Sequence, residues 1–136
     1  METLDRERLA TRLEAFLAEG WPDRVLPVLL EVNVGGEASK SGVSPEEAPR
    51  LLDAALACPH LEVRGLMTVP PFDDDPEKSR PHFRRLAALR ERLAVQAGRP
   101  LPELSMGMSH DFAVAAEEGS TEVRIGTALF GPREAA

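Results

Sequence analysis

Val25-Leu26-Pro27-Val28-Leu29-Leu30-Glu31-Val32-Asn33-Val34 is the stretch that decides the fold class. It is almost continuously apolar, as a strand buried on both faces must be, and such strands belong to parallel sheets. Pro27 sits near its start, where no ladder donor is needed. The flanking sequence supplies the helices that a parallel sheet requires. Upstream, Leu9, Leu13, Phe16 and Leu17 line one face of a helix over residues 5–19, which Gly20 and Pro22 end. Downstream, residues 35–42 form a loop of small side chains. Ser44-Pro45-Glu46-Glu47 then reads as a capping box with proline at the first helical position. Ala48, Leu51, Leu52, Ala55 and Leu56 give the next helix its apolar face, and Pro49 delays its start.

The alternation continues to the end of the chain. Leu61-Glu62-Val63-Arg64-Gly65-Leu66-Met67-Thr68-Val69 is a second strand, closed by Pro70-Pro71. Asp73-Asp74-Asp75-Pro76 caps a third helix, buried through Phe83, Leu86, Leu89, Leu93 and Ala97 and ended by Gly98-Arg99-Pro100. Residues 101–108 form a third strand, and 109–118 a short helix for which Ser109 is a candidate N-cap. Residues 121–125 form a fourth strand. Strands separated by helices run parallel, because only a long crossover returns the chain to the same edge. The class is therefore α/β in one domain over residues 1–136. A small open sheet and part of a (β/α) barrel both satisfy the periodicity.

Composition narrows the partners. The chain has 136 residues, 16 Lys and Arg against 23 Asp and Glu, and a net charge of −7. An acidic surface disfavours nucleic acid and anionic membranes, both of which are bound by clustered cations. Hydrophobic residues at 43% support a packed core. The apolar runs are too short to span a bilayer, and the charged N-terminus lacks a signal-peptide pattern, so a cytoplasmic location is expected. The single cysteine, Cys58, makes no internal disulfide and reads as a structural thiol. Lys40 and Lys78 are the only lysines, so any lysine chemistry has two candidates.

In parallel α/β folds, ligands sit beyond the C-terminal ends of the strands. Here those ends carry Asn33 with the Lys40 loop, Met67 with Thr68 and Pro70, the run from Ser105 to Asp111, and Arg124-Ile125-Gly126-Thr127. The last two place hydroxyls and glycine where exposed amides can meet an anion. From the residues alone, Ser109 reads first as a helix cap, and Gly126-Thr127 as a tight turn. Arg124 lies within an apolar strand. Facing inward it needs an acceptor, and facing outward it is a solvated charge; both readings stand. His60, His82 and His110 read as surface residues, and Asp73-Asp74-Asp75 as a capping turn rather than a metal site.

Four blocks then form a recognisable set, in order: Gly36-Glu37-Ala38-Ser39-Lys40-Ser41-Gly42, Arg64-Gly65-Leu66-Met67, Leu104-Ser105-Met106-Gly107-Met108-Ser109-His110-Asp111, and Gly119-Ser120-Thr121-Glu122-Val123-Arg124-Ile125-Gly126-Thr127-Ala128-Leu129-Phe130-Gly131. From about Leu4 to Arg133 the chain closely resembles the pyridoxal-phosphate homeostasis protein family. The resemblance implies a (β/α)₈ barrel of the alanine racemase N-terminal type, holding pyridoxal 5′-phosphate without robust catalysis. Ser109 with Gly126 and Thr127 would form the phosphate cradle, Arg124 would face the pyridine nitrogen, and Met67 would be a wall residue.

The first helix resembles the one after the family's fourth strand, and residues 1–6 resemble a strand exit. On this reading the chain is an N-terminally truncated half, strands five to eight. The Schiff-base lysine of the first strand is then missing, since neither Lys40 nor Lys78 matches it. Pyridoxal phosphate binding would be weak, with phosphate-like anions competing, and open barrel edges would favour self-association. A racemase-like or other phosphate-binding barrel enzyme fragment is the alternative. The absence of any tyrosine to serve as a racemase's second base weighs against it.

Overall fold

A computed structural model describes residues 1–131. Residues 132–136, including Arg133, lie outside the described residues. Four strands, β1 (Leu26–Glu31), β2 (Leu61–Met67), β3 (Glu103–Met108) and β4 (Glu122–Arg124), form one sheet in the order β1-β2-β3-β4. Every pairing is parallel. The crossovers are made by α2 (Ala48–Leu56), α3 (Arg80–Ala97) and α4 (Phe112–Glu117). The helix α1 (Glu7–Gly20) precedes the sheet and the one-turn α5 (Thr127–Phe130) follows it. No helix among the described residues is long and apolar enough to cross a membrane.

Local sequence chemistry sets the element ends. The expected capping box is present: the Glu47 amide donates to Ser44 Oγ at 3.2 Å, and the Ser44 hydroxyl donates to the Glu47 carboxylate at 2.9 Å. The helix proper starts at Ala48, delayed as Pro49 requires. Asp75 accepts the Glu77 amide at 3.0 Å, but the turn it caps is a 3₁₀ segment, Pro76–Ser79, before α3 begins. The left-handed Gly98 ends α3.

The helix-side core is apolar throughout. Val28, Leu30, Val32, Val63, Leu66, Leu104 and Met106 pack against Leu51, Leu52, Phe83, Leu86 and Leu89. Alternation along the strands turns Ser105, between Leu104 and Met106, to the opposite, concave face. Leu29 and Met67 are buried outside the helix-side cluster.

Two irregularities shape the sheet. Gly65 lies just past a register shift between β1 and β2, after Arg64. It is so close to β3 that a Cβ there would stand 1.8 Å from the Glu103 carbonyl oxygen. A second shift occurs in β3 around Gly107, whose φ of +100° is a glycine conformation. That bulge bends β3 just before the Ser109 loop.

The sheet does not end at β1. Residues 1–4 run beside it: the Leu29 amide donates to the Met1 carbonyl at 2.8 Å, and the Glu31 amide to the Leu4 carbonyl at 2.9 Å. The open edge that the sequence leads one to expect at β1 is thus partly covered.

His60 corrects a sequence expectation. It is a half-buried tie rather than a free surface residue. Its Nδ1 lies 2.7 Å from Glu14 Oε1 and its amide donates to Glu14 Oε2, joining α1 to the entry of β2. The hydrogen bond to Glu14 raises the imidazole above its ordinary range. On the other side, Arg80 bonds Glu77, Glu117 and Glu118, locking the start of α3 to the end of α4. Cys58 is buried, with its Sγ 3.3 Å from the Ala54 carbonyl; burial pushes the thiol up, as suits a structural cysteine.

Candidate functional site

The C-terminal ends of β3 and β4, with Phe72 from the loop after β2, enclose a cleft of about 950 Å³. Ser109, Arg124, Gly126 and Thr127 all line it, so four of the five expected site residues come together. Met67, the fifth, ends β2 beside Ser105 but is buried beneath this surface rather than lining it. Phe72, Met108, His110, Ala128, Phe130 and Gly131 complete the wall.

Ser109 is not the cap of α4, which begins three residues later at Phe112. Asp111 sets that start. Its buried carboxylate turns back to accept the Met108 amide at 2.8 Å, and takes the Ser79 hydroxyl at 2.8 Å. Ser109 is thereby left in the loop, where its Oγ accepts two amides from the next strand exit, Gly126 at 3.3 Å and Ala128 at 3.1 Å. Two backbone donors and one hydroxyl thus converge at one end of the cleft, the arrangement that receives an oxyanion.

Arg124 faces inward. Its Nη1 donates to Ser105 Oγ and, at 3.3 Å, to Glu2 Oε2; its Nη2 donates to the Thr68 carbonyl at 2.8 Å. A guanidinium carries five N–H donors and no acceptor. These three bonds leave Nε–H and one Nη2–H without partners among the described residues. A cation so held can meet only an acceptor, such as a deprotonated ring nitrogen or an anion.

The same face is rich in carboxylates. Burial pushes Glu31 and Glu122 up, helped by Asp5 and Glu2 respectively. Burial also pushes Glu2 up, but bonds from Ser105, Glu122 and Arg124 outweigh it and hold Glu2 below the usual carboxylate range.

Several contributors escaped the sequence reading. His110, expected on the surface, is partly buried and lies tilted against Phe72, with ring centroids 4.8 Å apart. Ser105 and Thr68 hold Arg124, and a buried hydroxyl between Leu104 and Met106 was the available sign. Glu2 carried none, because its partners lie more than 100 positions away.

Neither lysine reaches the cleft. Lys40 donates to the Pro70 carbonyl at 2.8 Å and pairs with Glu37 at 2.8 Å, clamping two strand-exit loops together. Lys78 lies in the 3₁₀ turn. Asp73 and Asp75 accept backbone amides, and no His, Cys, Asp and Glu cluster among the described residues could hold a metal.

Comparison with known proteins finds relatives along almost the whole chain. The family model described as alanine racemase, N-terminal domain, matches residues 1–134. The pyridoxal phosphate homeostasis protein of Aquifex aeolicus is 49% identical over 134 residues, covering 98% of this chain and 58% of that protein. The human protein of the same name is 42% identical over 139 residues, covering 98% and 50%. The chain thus spans about half the length of the curated relatives it matches.

Among solved structures, PipY of Synechococcus elongatus with PLP bound superimposes with a TM-score of 0.83 at 30% identity. That match covers 96% of this chain and 59% of PipY. A protein from Bifidobacterium adolescentis gives 0.84 at 38%, covering 95% and 51%. With the parallel sheet, the strand-end cleft and the match along almost the whole sequence in agreement, the chain belongs to the family of the alanine racemase N-terminal domain.

Proposed function

We propose that this chain binds pyridoxal 5′-phosphate through the phosphate end of its site, as a non-catalytic member of the vitamin B6 homeostasis group. The observation that carries this reading is the pairing of Ser109, holding the Gly126 and Ala128 amides, with an inward Arg124 that keeps two donors for a ligand. The relatives named for pyridoxal phosphate homeostasis, and PipY with PLP bound, support the cofactor.

The residues fit the group. Phosphate would take the two amides, with the Ser109 and Thr127 hydroxyls beside it, and the flat ring would lie against the apolar wall toward Arg124. Bound pyridoxal phosphate supplies a ring that delocalises negative charge. Arg124, unable to accept a hydrogen bond, favours the unprotonated ring nitrogen and weakens that capacity, which suits a carrier.

On this reading the chain corresponds to strands five to eight of the barrel; the residues lining the cleft include no lysine. Affinity then rests on a few charge-assisted hydrogen bonds of about 1.5–3 kcal/mol each, less ordering costs. Titration with pyridoxal phosphate should move the Gly126 and Ala128 amide resonances, with dissociation constants of roughly 0.1–1 mM. Inorganic phosphate should compete, and Ser109→Ala, which removes the hydroxyl that holds the Gly126 and Ala128 amides in place before capture and that would donate to the anion afterwards, should weaken both ligands about tenfold. Unmoved amides at saturating ligand would overturn the reading.

The sheet edges support self-association with a second copy. Val123 in β4, and Leu129 and Phe130 after it, are exposed. On the β1 side of the sheet, Phe16, Trp21 and Val25 are exposed around the end of α1 and the entry of β1. Joining the two ends would continue the parallel sheet and cover both groups. Sedimentation velocity should show a concentration-dependent dimer or larger species, and a sharp monomer at high concentration contradicts this.

A further inference from the structure

The concave face holds one contact that joins opposite ends of the sheet. Glu2, in the segment flanking β1, reaches across to β3 and β4. Its Oε2 accepts the Ser105 hydroxyl at 2.7 Å and Arg124 Nη1 at 3.3 Å. Ser105, fully buried, donates to Glu2 while accepting from Arg124, so its hydroxyl is satisfied only when both are in place. Both hydrogens of Nη1 are spent on this pair, and one on Nη2 goes to the Thr68 carbonyl. The guanidinium is thereby fixed at one edge, with its remaining Nε–H and Nη2–H edge free for the cleft.

We propose that Glu2 is a positioning residue: with Ser105 it anchors the Nη1 side of Arg124, so that the opposite edge of the guanidinium presents its donors to the ring nitrogen of a bound pyridine ligand. The inference rests on the cofactor reading above. Alternative anchors are poor. Glu31 and Glu122 also face this region, but neither makes a hydrogen bond to Arg124. Without Glu2, the Ser105 donor and one Nη1 hydrogen lose their acceptor in a partly enclosed place. The guanidinium could then swing toward Glu31 or Glu122 to recover one. Glu2 is held below the usual carboxylate range and is charged at neutral pH.

The test separates orientation of Arg124 from binding at the phosphate end. Two probes are titrated into the parent, Glu2→Gln and Glu2→Ala: 4′-deoxypyridoxine 5′-phosphate, which keeps the ring nitrogen and lacks the aldehyde, and inorganic phosphate. The Arg124 side-chain Nε and Nη resonances are recorded for each protein without ligand. Glu2→Ala should lose about tenfold in affinity for the pyridine probe and less than twofold for phosphate, the loss of one oriented charged hydrogen bond, and Glu2→Gln, which keeps one neutral carbonyl acceptor, should lose less for the pyridine probe. The separate Nη resonances of a held guanidinium should collapse to an average in Glu2→Ala.

Equal losses for both probes mean that Glu2 acts through the fold and overturn the proposal. So do unchanged affinities with unchanged Arg124 resonances. If the parent binds neither probe, the cofactor reading fails. The Arg124 resonances alone then decide whether Glu2 anchors the guanidinium, and retained separation in Glu2→Ala overturns it.

Discussion

Gly65→Ala is expected to unfold the protein. An added Cβ would stand 1.8 Å from the Glu103 carbonyl oxygen, 2.6 Å from its carbon and 2.9 Å from its Cα. All three are backbone atoms of β3, so no side chain can rotate aside. Relief requires β2 and β3 to separate in the middle of the sheet, where Gly65, Leu66 and Met67 pair with Glu103, Leu104 and Ser105. Ordinary overpacking costs about 1–3 kcal/mol. A backbone clash at a sheet centre exceeds that and approaches the net stability of a small domain, about 5–15 kcal/mol. Near-ultraviolet circular dichroism should lose its fixed-packing signal, and urea unfolding should lose cooperativity. A cooperative transition within about 1 kcal/mol of the parent would contradict the close approach described for this strand pair.

Asp111→Ala is expected to cost about 3 kcal/mol and to disorder the site loop. The carboxylate is 1% exposed and has two protein donors, the Met108 amide and the Ser79 hydroxyl. Truncation leaves both without an acceptor in the interior. It also frees the turn that keeps Ser109 out of α4. His110, whose Nε2 lies 3.4 Å from Asp111 Oδ2, loses its neighbour as well. Asp111→Asn keeps one carbonyl acceptor and should recover about half the loss. Urea midpoints measure the stability. Hydrogen exchange at Gly126 and Ala128 measures the loop, and should quicken in Asp111→Ala once Ser109 Oγ is no longer held against them. A loss below about 1 kcal/mol with unchanged exchange would show that the turn does not depend on this carboxylate.

Features set by neighbouring residues were legible in the sequence. The apolar run around Leu29 and Leu30 pointed to a parallel sheet because a strand covered on both faces cannot alternate. Ser44 and Glu47, three positions apart, announced their own capping box. The four cleft residues Ser109, Arg124, Gly126 and Thr127 were identified through family resemblance, and the fold brings them together. What stayed open depended on distant partners. Arg124 looked equally suited to solvent or interior, because its acceptors come from Glu2, Thr68 and Ser105 in three separate segments. Ser109 resembled a helix cap because the donors it meets, Gly126 and Ala128, lie 17 and 19 residues on. The bulge at Gly107 that bends the chain there leaves no periodic trace.

The two amides on Ser109 Oγ give ligand capture the character of an exchange reaction. On the proposed function, an arriving phosphoryl oxygen would not fill empty donors; it would replace a neutral hydroxyl acceptor with an anionic one. The heat released at these amides is then only the difference between two hydrogen bonds, so the free energy comes chiefly from charge. Capture of that kind is graded by ionic strength. Release needs no collapse of the loop, because the serine oxygen stands ready to take the amides back.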